Sequence, residues 1–395
     1  MVLINEGNRR HEPLFREALM KTSHPLRQTL AVAALLLASA ASFGQDGVSK
    51  TAIVLGQSLP LTGPGSSLAK PFHQGAKMYF DRVNAAGGIH GRQIELVTLD
   101  DEGYAATTAA NTQKLLGQGV FSLFGFYGSP QVTTVYPLIK NSETVLFAPM
   151  AAADEFRGPQ YPNVYLLRPG YSEEAAAVTK HAETLGARKF FILYAGDSES
   201  QAALDSATRV FTSLGVNLLG KDTLGSAGLA ATVEKVLAAK PESVLLISDS
   251  VAAAPAVRAL RAKGFRGAIY GFSNTGESLL AEQLGPAGAG VVVVRAVPKS
   301  DGNRVAVVRE LQEDAAAAKL GKPNVYMLEG YIAARVYAEA LRRAGKEPTR
   351  AKLKKAIDGL NEVSIGGFRV HFADDRVGSR LVELSLIDSL GRVRE

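Results

Sequence analysis

Asn84-Ala85-Ala86-Gly87-Gly88-Ile89-His90-Gly91-Arg92, then Gln93-Ile94-Glu95-Leu96-Val97-Thr98-Leu99 and Asp100-Asp101, is the stretch from which the fold is read. Its first residues end a helical pattern that begins near residue 71. Its glycines make a tight turn, and 94–99 alternates as a strand that stops at two acids. The same unit recurs on either side. A strand at 52–56 precedes it. A helix at 105–117, a strand at 121–125, a helix at 130–141 and a strand at 145–148 follow. After Arg168 the rhythm restarts: helix 173–185, strand 190–194, helix 201–214, strand 217–219, helix 229–239, strand 243–247, helix 253–263, strand 268–272. Strands alternating with helices of this length predict parallel sheets covered on both faces.

The late part breaks the rhythm. One long helix over 326–344 repeats Tyr326, Leu328, Tyr331, Ile332, Val336, Tyr337 and Leu341 at helical spacing, a core stripe. Arg350, Lys352, Lys354 and Lys355 on the next helix read as a solvated face. The tail is β-rich at 367–372 and 381–387, with a polar turn at Asp374-Asp375. Two similar α/β halves with a mixed tail predict two lobes between which the chain passes more than once.

The chain has 395 residues, 46% hydrophobic and 21% charged, which fits two folded domains and excludes a disordered or fibrous protein. Cysteine is absent, removing disulfides, thiolate metal sites, cysteine nucleophiles and a lipoprotein anchor. The six histidines are scattered, so no metal site is expected. The net charge of +6 comes from mixed acids and bases without a concentrated basic face, so nucleic acid is not an expected partner.

Residues 29–41 form an apolar, alanine- and leucine-rich run preceded by Lys21, His24 and Arg27 and ending at Ala38-Ser39-Ala40. A basic segment, an apolar run of about 7–15 residues and a small-x-small site are the parts of a secretory signal peptide. The expectation is a cleaved leader over 1–40, translation starting at Met20, and a periplasmic product.

Nothing marks an enzyme. G-x-S-x-G, H-E-x-x-H and G-x-x-x-x-G-K-[ST] are all missing. Gly63-Pro64-Gly65-Ser66-Ser67-Leu68 lacks a third glycine and reads as a flexible loop at a strand end. Asp100-Asp101-Glu102 reads as a solvated turn rather than a cation site. What remains is the set of loops at the C-terminal ends of parallel strands, where open α/β sheets bind ligands. In Phe126-Tyr127-Gly128-Ser129-Pro130, proline suits the first helical position and Ser129 the N-cap, so a hydroxyl and unpaired N–H groups would offer a carboxylate site. The second half supplies Asp197-Ser198-Glu199-Ser200, Ser248-Asp249-Ser250 and Ser273-Asn274-Thr275 as the opposite wall.

Leu61-Thr62-Gly63-Pro64, Gln74-Gly75-Ala76, the N-x-x-G-G-I-x-G string from Asn84, Asp100-Asp101 and Ala148-Pro149 together resemble the leucine/isoleucine/valine-binding proteins, the type I periplasmic solute receptors of ABC importers. Segments 258–264 and 330–344 look like the family's later helices. The resemblance implies two Rossmann-like lobes with parallel sheets joined by a three-stranded hinge, a Venus flytrap. The restart of the strand–helix rhythm after Arg168 and the mixed tail place lobe 1 at 50–168 plus 296–362 and lobe 2 at 169–295 plus 363–395. The resemblance also implies that Ser129 matches the serine that holds a ligand's α-carboxylate, while Met150 and Ala152 stand where a carbonyl and a small hydroxyl residue hold the α-amino group. Leu68 and Glu199 take the places of two family tyrosines, Asp249 falls near another, and Ser273 near the ammonium-binding glutamate. Tyr127 and Tyr171 are counted with them. The expected protein is a monomer without cofactor. It captures an amino acid or related carboxylate and delivers it to an inner-membrane ABC permease. A sensor feeding a signalling system is the alternative, and an extracytoplasmic enzyme comes third.

Overall fold

The computed structural model describes residues 46–224, 228–372 and 375–395. The export pattern and Asp374 lie outside these residues. The first lobe opens with β1 (Ala52–Leu59), α1 (Ser66–Ala85), β2 (Gln93–Asp100), α2 (Ala105–Gly117), β3 (Ser122–Phe124), α3 (Ser129–Ile139), β4 (Leu146–Phe147) and β5 (Val164–Tyr165). Its strands pair in the order β2-β1-β3-β4-β5, all parallel. The Gly87–Gly91 turn is as read: Gly88 has φ 76° and closes so tightly that a Cβ there would sit 2.0 Å from the Arg92 carbonyl oxygen. Only glycine fits both conditions.

The second lobe repeats the plan with α4 (Tyr171–Thr184), β6 (Lys189–Tyr194), α5 (Ser198–Ser213), β7 (Asn217–Thr223), α6 (Leu229–Ala239), β8 (Ser243–Ile247), α7 (Ser250–Ala262), β9 (Ala268–Gly271), α8 (Glu277–Leu284) and β10 (Val291–Arg295). Its parallel strands run β7-β6-β8-β9-β10, the same winding as the first lobe. Such strands are apolar on both faces because both faces are covered. On β8, Val244 and Leu246 enter one core layer while Leu245 and Ile247 enter the other. On β6, Phe191 and Leu193 separate from Phe190 and Ile192 in the same way.

The chain then returns to the first lobe through α9 (Ala306–Ala317), α10 (Val325–Ala344) and α11 (Arg350–Asp358), followed by β11 (Val363–Ile365), β12 (Phe368–Val370), β13 (Glu383–Ile387) and β14 (Val393–Arg394). The tyrosine stripe of α10 is buried throughout, as its spacing predicts. Several local readings are corrected. α1 starts at Ser66 and carries Pro71 inside it. α8, β10 and α9 were not read from the sequence at all. The basic residues of α11 are not merely solvated, since Arg350 donates to the carbonyls of Phe121 and Val120. Asp101 is fully buried and accepts from Ser58, Thr108 and Gly103, so the acidic turn is a structural knot rather than a solvated loop.

The two tail strands do not pair with each other. β12 forms a hairpin with β11, and β13 lies antiparallel to β10. Val363, Ile365, Phe368, Val370 and Phe372 pack in the same core layer as Ile53 and Leu55 of β1. Val377 bridges to Leu166 in the first lobe. We therefore place the last crossing after residue 377, not at 362, because the hairpin's apolar face is buried against lobe 1. The chain thus passes between lobes after β5, after β10 and after Val377.

Candidate ligand site between the lobes

In both sheets the strand order reverses beside the first strand, and the loops leaving the C-terminal ends of β1, β3, β6, β8 and β9 face a common space. Ligands of open α/β sheets lie at such switch points. A cavity of ≈ 420 Å³ opens there, lined from the first lobe by Pro64, Gly65, Tyr104, Tyr127 and Gln131, and from the second by Asp197, Glu199, Asp249 and Asn274. Behind it, sharing Tyr127, Gly128, Glu199 and Asn274, is a closed space of ≈ 20 Å³ reached by Leu68, Met150, Ala152, Arg168 and Tyr171. A larger hollow of ≈ 680 Å³ sits under the β11–β12 hairpin, among Pro298, Phe368, His371 and Leu381, away from the strand ends.

Leu68, Tyr127, Met150, Ala152, Tyr171 and Glu199 therefore come together around the inner space, and Asp249 joins the outer cavity. Ser129 and Ser273 line neither. Ser129 is the first residue of α3 rather than its cap; Gly128 takes the cap position. Its donors are already used. The Ser129 N–H donates to Glu199 Oε2 at 2.5 Å and its hydroxyl to Glu199 Oε1 at 2.9 Å, while Tyr171 donates its phenol to the same Oε1. Ser129 was expected to hold a solute carboxylate; in the structure its donors meet the chain's own Glu199 from the other lobe instead.

Ser273 belongs to a buried network. Its hydroxyl donates to Glu174 at 2.6 Å, its N–H to the other oxygen of the same carboxylate, and Arg168 donates to its Oγ. Arg168 also lies 3.5 Å from Glu329 and 3.9 Å from Glu174. The Met150 and Ala152 carbonyls, expected to hold an amino group, accept from the N–H groups of Gly128 and Tyr171.

The electrostatics are one-sided. Burial raises the carboxyl pKa of Glu199, opposed by the hydrogen bonds from Tyr171 and Ser129. Burial also raises Glu174 and Glu329, with Arg168 pulling both back. For Arg168, burial disfavours the charge, but Glu329 and Glu174 outweigh it and the pKa is raised. Burial lifts the Tyr127 phenol well up, and the carboxylates of Glu199, Asp249 and Asp197 add to that.

Arg168, Glu174, Glu329, Gln131 and Asn274 were missed as site residues. Arg168, Glu174 and Glu329 carry no local motif, and their relation arises only when α4 and α10 meet at the first crossing. Asn274 and Asp197 stood in loops already marked as the second wall. Among the described residues no group of three or more His, Asp or Glu is arranged to hold a metal ion.

A model of the family described as Periplasmic binding protein matches residues 52–385. An "Amino acid binding protein" of Pseudomonas aeruginosa is 22% identical over 343 residues, covering 82% of this chain and 91% of that protein. A "Leucine-, isoleucine-, valine-, threonine-, and alanine-binding protein" of the same organism is 21% identical over 312 residues, covering 78% and 82%. The crystal structure of an extracellular ligand-binding receptor from Verminephrobacter eiseniae superposes with a TM-score of 0.81 at 27% identity, covering 87% of this chain and all of that one, 100%. All three are named as binding proteins or receptors. With its paired parallel sheets and a cleft at their facing strand ends, the chain belongs to the periplasmic binding protein family, in its leucine/isoleucine/valine-binding branch.

Proposed function

We propose that this protein is a periplasmic receptor that captures a small solute of the amino-acid class between its lobes and delivers it to the permease of an ABC importer. The observation carrying this reading is the ≈ 420 Å³ cavity, walled by loops from both sheets, whose size suits a small molecule. The relatives named for amino-acid binding support the solute class. The basic-apolar-small order of residues 21–41 supports export through a cleaved signal peptide. The receptor works as a monomer, since each chain supplies both walls of its cleft. Its chemistry is capture and release, which requires only that both lobes contribute contacts to one solute.

The experiment is uptake by inner-membrane vesicles prepared from the source bacterium. Uptake of a solute identified by thermal shift should require the purified receptor. Uptake unchanged by its omission overturns the delivery role.

A further inference from the structure

Three helices, α3, α5 and α7, point their N-termini at the cleft. Helix N-termini attract anions, each end acting as roughly half a positive charge. Here each end already has a carboxylate of its own. Asp197 caps α5 by accepting from the Ser200 N–H at 2.7 Å, and Asp249 caps α7 by accepting from the Ala252 N–H at 3.0 Å. Glu199 accepts from the first N–H of α3 across the cleft. Three carboxyl groups, two of them the ordinary caps Asp197 and Asp249, set against three half charges leave the cavity wall with an excess of negative charge once Glu199 is ionised.

Nothing else in the wall offsets that excess. None of the cavity's lining residues is Lys, Arg or His. Arg168, at the inner space, is matched by two carboxylates, Glu174 and Glu329. The uncharged polar groups also want donors. Gln131 is only 6% exposed and spends its amide N–H on the Gly103 carbonyl, while its Oε1 has no donor among the described residues and lies against Gly128, another wall residue. The Asn274 side-chain oxygen is likewise without a donor there. Tyr104 and Tyr127 give the same cavity aromatic surface, on which cations settle favourably.

Resting on the receptor reading above, we propose that the captured solute carries a net positive charge, as an ammonium or guanidinium group seated among Asp197, Glu199, Asp249 and the Gln131 oxygen. Ser129 then serves as the docking point of Glu199, and a solute carboxylate contributes nothing there. Two kinds of solute share this chemistry: a basic amino acid, and an amine without a carboxylate.

The test is calorimetry and thermal unfolding of the purified full chain with a matched set: 1,5-diaminopentane, lysine, norleucine and hexanoate. The diamine should bind at least as tightly as lysine, and norleucine and hexanoate tenfold or more weakly. Lysine tenfold tighter than the diamine would keep the cation and overturn the idle role of the carboxylate. Norleucine or hexanoate binding best overturns the proposal. Glu199→Gln and Asp249→Ser, the latter keeping a capping hydroxyl on α7, should each weaken diamine binding about tenfold. Unchanged binding in both, with native circular dichroism, also overturns it. A wider panel of neutral amides and sugars separates the two readings. A neutral solute that binds where cations do not sinks the cation and leaves the receptor, whereas no solute of any class sinks both.

Discussion

Glu199 shows how one side chain can change the meaning of a motif. From sequence the Ser129-Pro130 helix start is offered to a solute carboxylate, whereas in the structure it takes the carboxylate of Glu199 from the second lobe. This carboxyl also titrates usefully. Burial raises its pKa above the ordinary carboxyl value, against hydrogen bonds from Tyr171 and Ser129 and the charge of Arg168. The folded protein then holds a proton at a pH where the unfolded chain has released it. By linkage, stability falls as pH rises through the interval above the ordinary carboxylate value, and is level below it. Glu174, Glu277 and Glu329 shift the same way through burial, so they share the slope. The lowered pKa of buried His73 acts in the opposite sense, so the test is the difference between proteins: as pH rises above the ordinary carboxylate value, the urea midpoint of Glu199→Gln should lose less, or gain more, than the parent's. Parallel curves for parent and variant would refute this account of Glu199.

Among the elements, the crossing of α1 and α10 decides most of the first lobe's core. Gly75 faces the Met327 carbonyl and Gly330 the Phe72 carbonyl, and a Cβ on either would approach that oxygen to 1.9 Å. Helix propensity alone recommends alanine at both sites, worth about 1 kcal/mol each. Contact with a rigid backbone opposes it, because overpacking costs typically 1–3 kcal/mol and the helices must separate to admit a methyl. A Cβ 1.9 Å from a backbone oxygen puts the steric cost at the upper end, so Gly75→Ala and Gly330→Ala should each lower the denaturation midpoint, with a net loss of up to about 2 kcal/mol. A midpoint at or above the parent's would mean the helices yield freely. The Gln74-Gly75-Ala76 string was legible as a family resemblance. Its physical reason was not, because the partner glycine lies far along the chain.

At the scale of the whole molecule, the lobes are held together by a few polar contacts across the cleft. Glu199 reaches Ser129, Arg209 reaches Asp154 at 2.9 Å, and Tyr326 donates to the Ser273 carbonyl at 2.7 Å. At the crossings, Arg168 bridges Glu174 of one lobe and Glu329 of the other, while Arg380 bridges Glu173 and Asp375. Few contacts of this kind permit rotation about the crossings. Glu199→Ala removes the cleft contact whose donors are a helix N–H, a hydroxyl and a phenol. Small-angle scattering without solute should then give a larger radius of gyration than the parent, and superimposable curves would count against a Glu199 tie. A solute at about 100 times its dissociation constant should stabilise the parent by roughly 2.7 kcal/mol.

The sequence by itself determined the repeated strand–helix plan, the tight turn at Gly87–Gly91, the buried stripe of α10 and the loops that face the cleft. Each of these is set by local periodicity, turn chemistry or capping, which act over a few residues. Tertiary structure alone decided the pairing of β13 with β10, the return of the β11–β12 hairpin to the first lobe, and the Arg168–Glu174–Glu329 cluster. It also decided that Ser129 meets Glu199, 70 residues later in the chain. Charges and edges find partners through space, and no short-range pattern records which partner burial will bring.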